Sequence, residues 1–158
     1  MELEIIARVH TDFPTKFGLP RQSGLAALPA EIVFEPPFRD ASCIRGIGGW
    51  SHLWLIWQFD RAVASGWAPT VAPPKLGGRE RVGVFATRSP FRPNFMGLSC
   101  VRLEQVEEHT PRGPVLHVSG ADLADGTPIF DIKPYLPYAD SVPGAADAFA
   151  DKRRGGLL

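Results

Sequence analysis

Glycine and proline, 16 residues of each in a chain of 158, constrain this sequence more than any other feature. They are dispersed along the whole length, so they punctuate many turns and leave no room for long uninterrupted elements. The runs between them have β character. Seven stand out: Glu4 to Val9, Ile32 to Phe34, His52 to Phe59, Arg81 to Thr87, Leu98 to Val106, Val115 to Ser119 and Ile129 to Ile132. The run HLWLIWQF (52–59) is apolar on both faces, which predicts a central strand packed on two sides. In Arg81 to Thr87, Val82, Val84 and Ala86 alternate with polar or small residues, the period of a strand. Helical signal is poor. Ala62 to Ser65 suits a turn, and Ala145 to Arg153, acidic early and basic late, suits a short helix oriented with its dipole. Many short strands between turn signals predict an all-β fold, either a sandwich or a barrel.

Hydrophobic residues make up 44% and charged residues 22%, enough to bury one core. The length suggests a single domain. No apolar run approaches the ~18 residues of a membrane span, and MELEIIARVH lacks the basic-then-apolar pattern of a signal peptide, so a soluble, cytoplasmic chain is expected. Cys43 and Cys100 make neither a disulfide framework nor a metal cluster and read as reduced, buried thiols. Seventeen basic residues balance seventeen acidic ones, but unevenly. Between Lys75 and Arg92 five basic residues face one acid; between Asp122 and Asp147 five acids face one lysine. The basic block could meet a phosphate backbone or be a solvated loop.

Three loops carry the chemistry. KFGLPRQSGL (16–25) follows a strand; its glycines let a backbone approach a ligand, and Arg21 and Gln22 could bond a carboxylate or a base edge. PPKLGGR (73–79) leads into GVFATRSPFRPN (83–94), where Pro90 and Pro93 stiffen a loop bearing Arg88, Arg92 and Asn94. Such a loop loses little entropy on fixing a ligand, yet it could equally be a structural corner. DLADGTP (122–128) reads as a tight turn, followed by DIKPYLPY (131–138). On an extended segment Asp131, Lys133 and Tyr135 share a face, to polarise a substrate or to form a salt bridge beside a packed ring. His10, His52, His109 and His117 lack metal-ligand spacing, and His52, between Trp50 and Trp54, reads as a satisfied strand-end residue. There is no P-loop, no Gly-x-Ser-x-Gly elbow and no Gly-x-Gly-x-x-Gly fingerprint, so a nucleotide-like cofactor would need another kind of site.

In combination, KFGLPRQSGL (16–25), RGIGGWSHLWLIW (45–57), GWAPTVAPPKLGGRERVGVFATRSPFRPN (66–94) and DLADGTPIFDIKPYLPYADSVP (122–143) resemble, in order, the TrmO/TsaA-like (YaeB-like) tRNA methyltransferase family. The resemblance spans nearly the whole chain. It implies a compact antiparallel β-barrel with long loops and little helix, a homodimer, S-adenosylmethionine (SAM) as methyl donor, no metal, and methylation of N6 of threonylcarbamoylated adenosine beside the tRNA anticodon. It places SAM contacts on Ser23, Gly24, Leu25, Asp60, Arg61, Arg88, Leu98, Asp125, Gly126, Thr127 and Pro128. Asp131, Lys133 and Tyr135 would stand near the acceptor, and Lys75, Arg79, Arg81 and Arg92 would meet tRNA phosphates. Asp60-Arg61 departs from the residue types usual there, and Asn94-Phe95-Met96-Gly97 stands where the family has Asn-Pro-Ile-Gly. Residues 1–145 are expected to form the barrel and 146–158 a short tail, with none of the C-terminal domain that longer members carry. Donor binding should then survive, with methylation of another substrate or a non-catalytic SAM sensor as alternatives.

Overall fold

The computed structural model describes residues 1–11 and 28–150, with Lys75 described at its backbone only. The chain divides into two compact units, one formed by Met1–Gln58 with Gly97–Tyr135 and one by Phe59–Met96 with Leu136–Leu158.

The first unit holds a closed barrel. Its strands are β1 (Ala7–His10), β2 (Pro29–Phe34), β3 (His52–Gln58), β6 (Met96–Glu107), β7 (Val115–Ser119) and β8 (Pro128–Pro134). They follow the order β1-β2-β7-β6-β3-β8 and close back onto β1, all antiparallel. Closure pairs every strand on both sides, so the sheet has no open edge to protect. Alternate residues point inward. Ala7 and Val9 on β1 lie near Phe34 and Ile32 on β2, and Ile32 lies opposite Leu116 on β7. Leu53 and Leu55 of β3, Val101 of β6 and Ile129 of β8 join them in one apolar cluster. A bulge at Ile56/Trp57 offsets β3 against β8, so Ile56 opposes Asp131 but Trp57 opposes Ile129.

Several expectations need correction. β3 is a barrel wall rather than a strand packed on two sides: Leu53 and Leu55 are buried, while Trp54, Ile56 and Trp57 stay partly exposed. The cysteines are exposed rather than buried. On β6 the neighbouring Val101 takes the inward position, and in the 3-10 turn Ala41–Ile44 it is Ile44 that enters the core. That turn is capped by Asp40, whose carboxylate accepts from the Ser42 hydroxyl and amide; these bonds hold its carboxyl below the usual carboxylate range.

In the second unit, β4 (Thr70–Val71) and β5 (Val82–Gly83) form a two-stranded ribbon, and α1 is the single turn Pro137–Asp140. The expected strand Arg81 to Thr87 is cut to two residues. From Val84 the chain turns as a 3-10 helix, because Val84 carbonyl accepts from both the Thr87 amide and its hydroxyl. The apparent alternation came from Val84, buried, beside Phe85, 78% exposed. The segment Ala145 to Arg153, expected to be a helix, is not helical over 145–149, where Asp147 instead caps the Phe149 amide in a turn, and is helical at Ala150; residues 151–153 lie outside the described residues.

Candidate functional site

In the barrel unit, the turn Asp125–Pro128 sits at the entry to β8 and is fastened to β1 by backbone bonds. Gly126 N–H donates to Val9 carbonyl (2.7 Å) and Val9 N–H to Thr127 carbonyl (3.0 Å). Thr127 is buried, and its hydroxyl donates to Ala124 carbonyl at 2.7 Å, closing the turn on itself. Gly126 has φ +83°, a left-handed conformation that suits glycine, and a side chain built there would meet no atom of the described residues within 4 Å. One Asp125 carboxylate oxygen accepts from Thr11 N–H (3.0 Å) and lies 3.5 Å from His10 Nδ1. Arg8 donates to Gly126 carbonyl (3.1 Å) and, through Nε, to Glu35 carboxylate (3.0 Å).

Arg8 and His10 were not singled out by sequence. Their signal was faint: they occupy the polar positions of a strand whose alternate residues, Ala7 and Val9, are apolar.

Asp131, Lys133 and Tyr135 do share a face, the outer wall of the barrel. Asp131 pairs with Lys133 at 3.5 Å, and its other carboxylate oxygen accepts from Ile132 N–H. The Tyr135 ring lies 5.6 Å from that of Trp54 and meets His52 edge-on at 6.3 Å. The salt bridge beside a packed ring is thus present. Along β8 and just past its end, Asp131 follows Pro128 by about 10 Å and Tyr135 follows it by about 23 Å, at the ordinary rise of a strand. Asp131 is consequently the member of the trio nearest the turn. Leu98, 44% exposed on β6, also belongs to this unit.

Ser23, Gly24 and Leu25 lie outside the described residues, as does the Lys75 side chain. The other expected contacts belong to the second unit. Asp60, Arg61, Arg79 and Arg88 are exposed there. Arg81 and Arg92 are engaged in bracing: Arg81 grips Thr70 through its hydroxyl (3.1 Å) and carbonyl (2.7 Å), and Arg92 donates to the carbonyls of Thr87 (2.8 Å) and Ser89 (3.3 Å). Among the described residues, no three His, Cys, Asp or Glu side chains group as a metal site, and no helix is long and apolar enough to cross a membrane.

Residues 8–141 match the sequence profile of the tRNA-methyltransferase O N-terminal domain. The chain is 44% identical to a tRNA (adenine(37)-N6)-methyltransferase of Escherichia coli over 94% of its own length and 63% of that protein. It is 46% identical to a putative S-adenosylmethionine-dependent methyltransferase, RcsF, of Pseudomonas aeruginosa over 92% of its length and 59% of that protein. A crystal structure of TrmO from Pseudomonas aeruginosa superimposes with a TM-score of 0.75 at 38% identity, covering 96% of this chain and 63% of that one. The chain thus spans roughly three fifths of the length of these relatives.

Proposed function

We propose, given that this chain belongs to the tRNA-methyltransferase O N-terminal domain family, that it binds SAM at the Asp125–Pro128 turn and methylates N6 of adenosine 37 in tRNA, the threonylcarbamoylated base being the acceptor. The observation that carries this reading is the turn itself: fastened to β1 by backbone bonds, with no atom of the described residues within 4 Å of a side chain built on the left-handed Gly126. A fixed backbone edge with room beside it suits a flat, hydrogen-bonding ligand, because little has to be ordered on binding. The Asp125 carboxylate, partly exposed, suits a ribose hydroxyl or an ammonium group. Arg88, a cation in the second unit, suits the donor's carboxylate. Ser23, Gly24, Leu25, Asp60, Arg61 and Leu98 complete the proposed donor contacts.

SAM, when bound, supplies a methyl group made electrophilic by its sulfonium, so the protein's main task is to align the acceptor nitrogen with it. As the N–C bond forms, N6 loses a proton. Asp131 is the group proposed to accept it, since it stands nearer the turn than Lys133 or Tyr135. Lys133 pairs with that carboxylate, and Tyr135, braced on Trp54, borders the acceptor base. Lys75, Arg79, Arg81 and Arg92 are the proposed phosphate contacts, Arg81 and Arg92 serving also as loop braces. The active form is proposed to be a cytoplasmic homodimer.

The purified chain should bind SAM in calorimetry, Arg88→Ala should weaken that binding, and incubation with SAM and threonylcarbamoylated tRNA should yield the N6-methylated nucleoside by mass spectrometry. SAM binding with unchanged tRNA would replace the enzyme with a sensor or an enzyme for another substrate. Unaltered affinity in Arg88→Ala would remove that residue from the site.

A further inference from the structure

We propose that Arg8 is a positioning residue that holds the donor-binding turn in its ligand-ready conformation, acting through Gly126 rather than through any contact of its own with the ligand. This rests on the assignment of SAM to the Asp125–Pro128 turn.

Arg8 lies on the outer face of β1, opposite Val33 on one side and Pro128 on the other. Its guanidinium spans three strands. Nε donates to Glu35, immediately after β2, and Nη1 donates to Gly126 carbonyl, immediately before β8. Glu35 is itself fixed, because its amide donates to Ile6 carbonyl at 2.8 Å. The bridge therefore runs from an anchored carboxylate, through a planar fork, to a single peptide carbonyl in the turn.

That carbonyl is the vulnerable point. Glycine takes φ of either sign with similar ease, so the peptide unit after Gly126 can rotate where another residue would resist. Rotation of that unit is opposed at both ends of one plane: Thr127 N–H donates to Ala124 carbonyl at 3.2 Å and the Gly126 oxygen accepts from Arg8 at 3.1 Å, so loss of the arginine leaves one hydrogen bond to hold it. Among the described residues, the bond from Arg8 holds the Gly126 oxygen. An arginine suits this task because its donors are set in a rigid plane and reach a carboxylate and a carbonyl from separate nitrogens, while the three donors of a lysine radiate from one nitrogen without a fixed fork. A turn that is ordered only part of the time binds its ligand more weakly in proportion to the ordered fraction, with the subsequent chemistry intact.

The test uses the full chain. Arg8→Ala and Arg8→Lys should each weaken SAM binding about tenfold in calorimetry, the lower end of the scale for a hydrogen bond from a charged group. The turnover rate at saturating SAM should stay within about twofold of the parent. Glu35→Gln keeps an acceptor for Nε and should fall between parent and Arg8→Ala. In the ligand-free protein, NMR relaxation dispersion at the Gly126 and Thr127 amides should increase in Arg8→Ala. Parent-like SAM affinity, full recovery in Arg8→Lys, or a fall in turnover with affinity unchanged would each overturn the proposal. If the parent itself takes up no SAM, the donor-site reading fails, and the dispersion data decide the bridge on their own: unchanged dispersion in Arg8→Ala overturns it, and increased dispersion supports it.

Discussion

At the scale of single residues, the close approach of Trp57 to β6 shows what one missing methyl group permits. A side chain on Gly97 would stand 2.4 Å from the Trp57 ring, and the same indole donates to the Ser99 hydroxyl at 3.0 Å. Gly97→Ala must displace a packed ring and break that bond, so we expect it to cost about 2 kcal/mol in urea unfolding, within the usual range for overpacking. A midpoint equal to that of the parent would mean the ring moves freely. Just before it, Asn94 and Phe95 both take positive φ, 66° and 51°. Asparagine tolerates this conformation better than a bulky aromatic does. Proline cannot reach it at all, because its ring holds φ near −65°. Phe95→Pro, which restores the residue type usual in the family at this corner, should therefore lower stability here, by about 3 kcal/mol if the corner keeps its shape. A variant as stable as the parent would show that the corner rearranges.

The elements divide the arginines by what they already hold. In the β4–β5 ribbon, strands of two residues each have little pairing of their own, and Arg81 supplements it by gripping Thr70 twice. Arg79, in the preceding turn, is exposed. These two residues should separate in experiment. Arg79→Ala should weaken tRNA binding across sequences and reduce the dependence of log affinity on log salt by about 0.7 to 0.9, the value for one phosphate contact. Arg81→Ala should also loosen the ribbon, seen as faster amide exchange at Val71 and Val82 in the absence of RNA. An unchanged salt slope in Arg79→Ala removes it from the proposed RNA contacts. Equal exchange in Arg81→Ala means the ribbon stands without its brace.

At the scale of the molecule, the closed sheet makes each inward side chain part of one core. Leu55 is fully buried among its neighbours from the other strands. Leu55→Ala should cost about 2 to 5 kcal/mol in a single cooperative transition of the barrel, by lost burial and the cavity left behind. A loss under about 1 kcal/mol would mean the interior collapses around the gap. Much of this architecture was legible beforehand. Val115–Ser119 was read to the residue and β6 nearly so, because strand alternation and turn residues are local signals. The same signal failed at Arg81 to Thr87, where local hydrogen bonds to Val84 carbonyl turn the chain after two strand residues. The cysteines were misplaced for another reason: a small apolar side chain gives no sign of which way it faces, on β6 for Cys100 or in the 3-10 turn for Cys43. The dispersed glycines and prolines, together with the order of the motifs, determined by themselves that this is a β-rich chain of short elements belonging to one family. Only the tertiary structure decided which polar residues act together. Arg8 and Gly126 are 118 positions apart, and barrel closure alone brings the guanidinium of one to the carbonyl of the other. Turn and strand chemistry is written within a few residues; a contact between distant strands depends on register and closure, which no local pattern specifies.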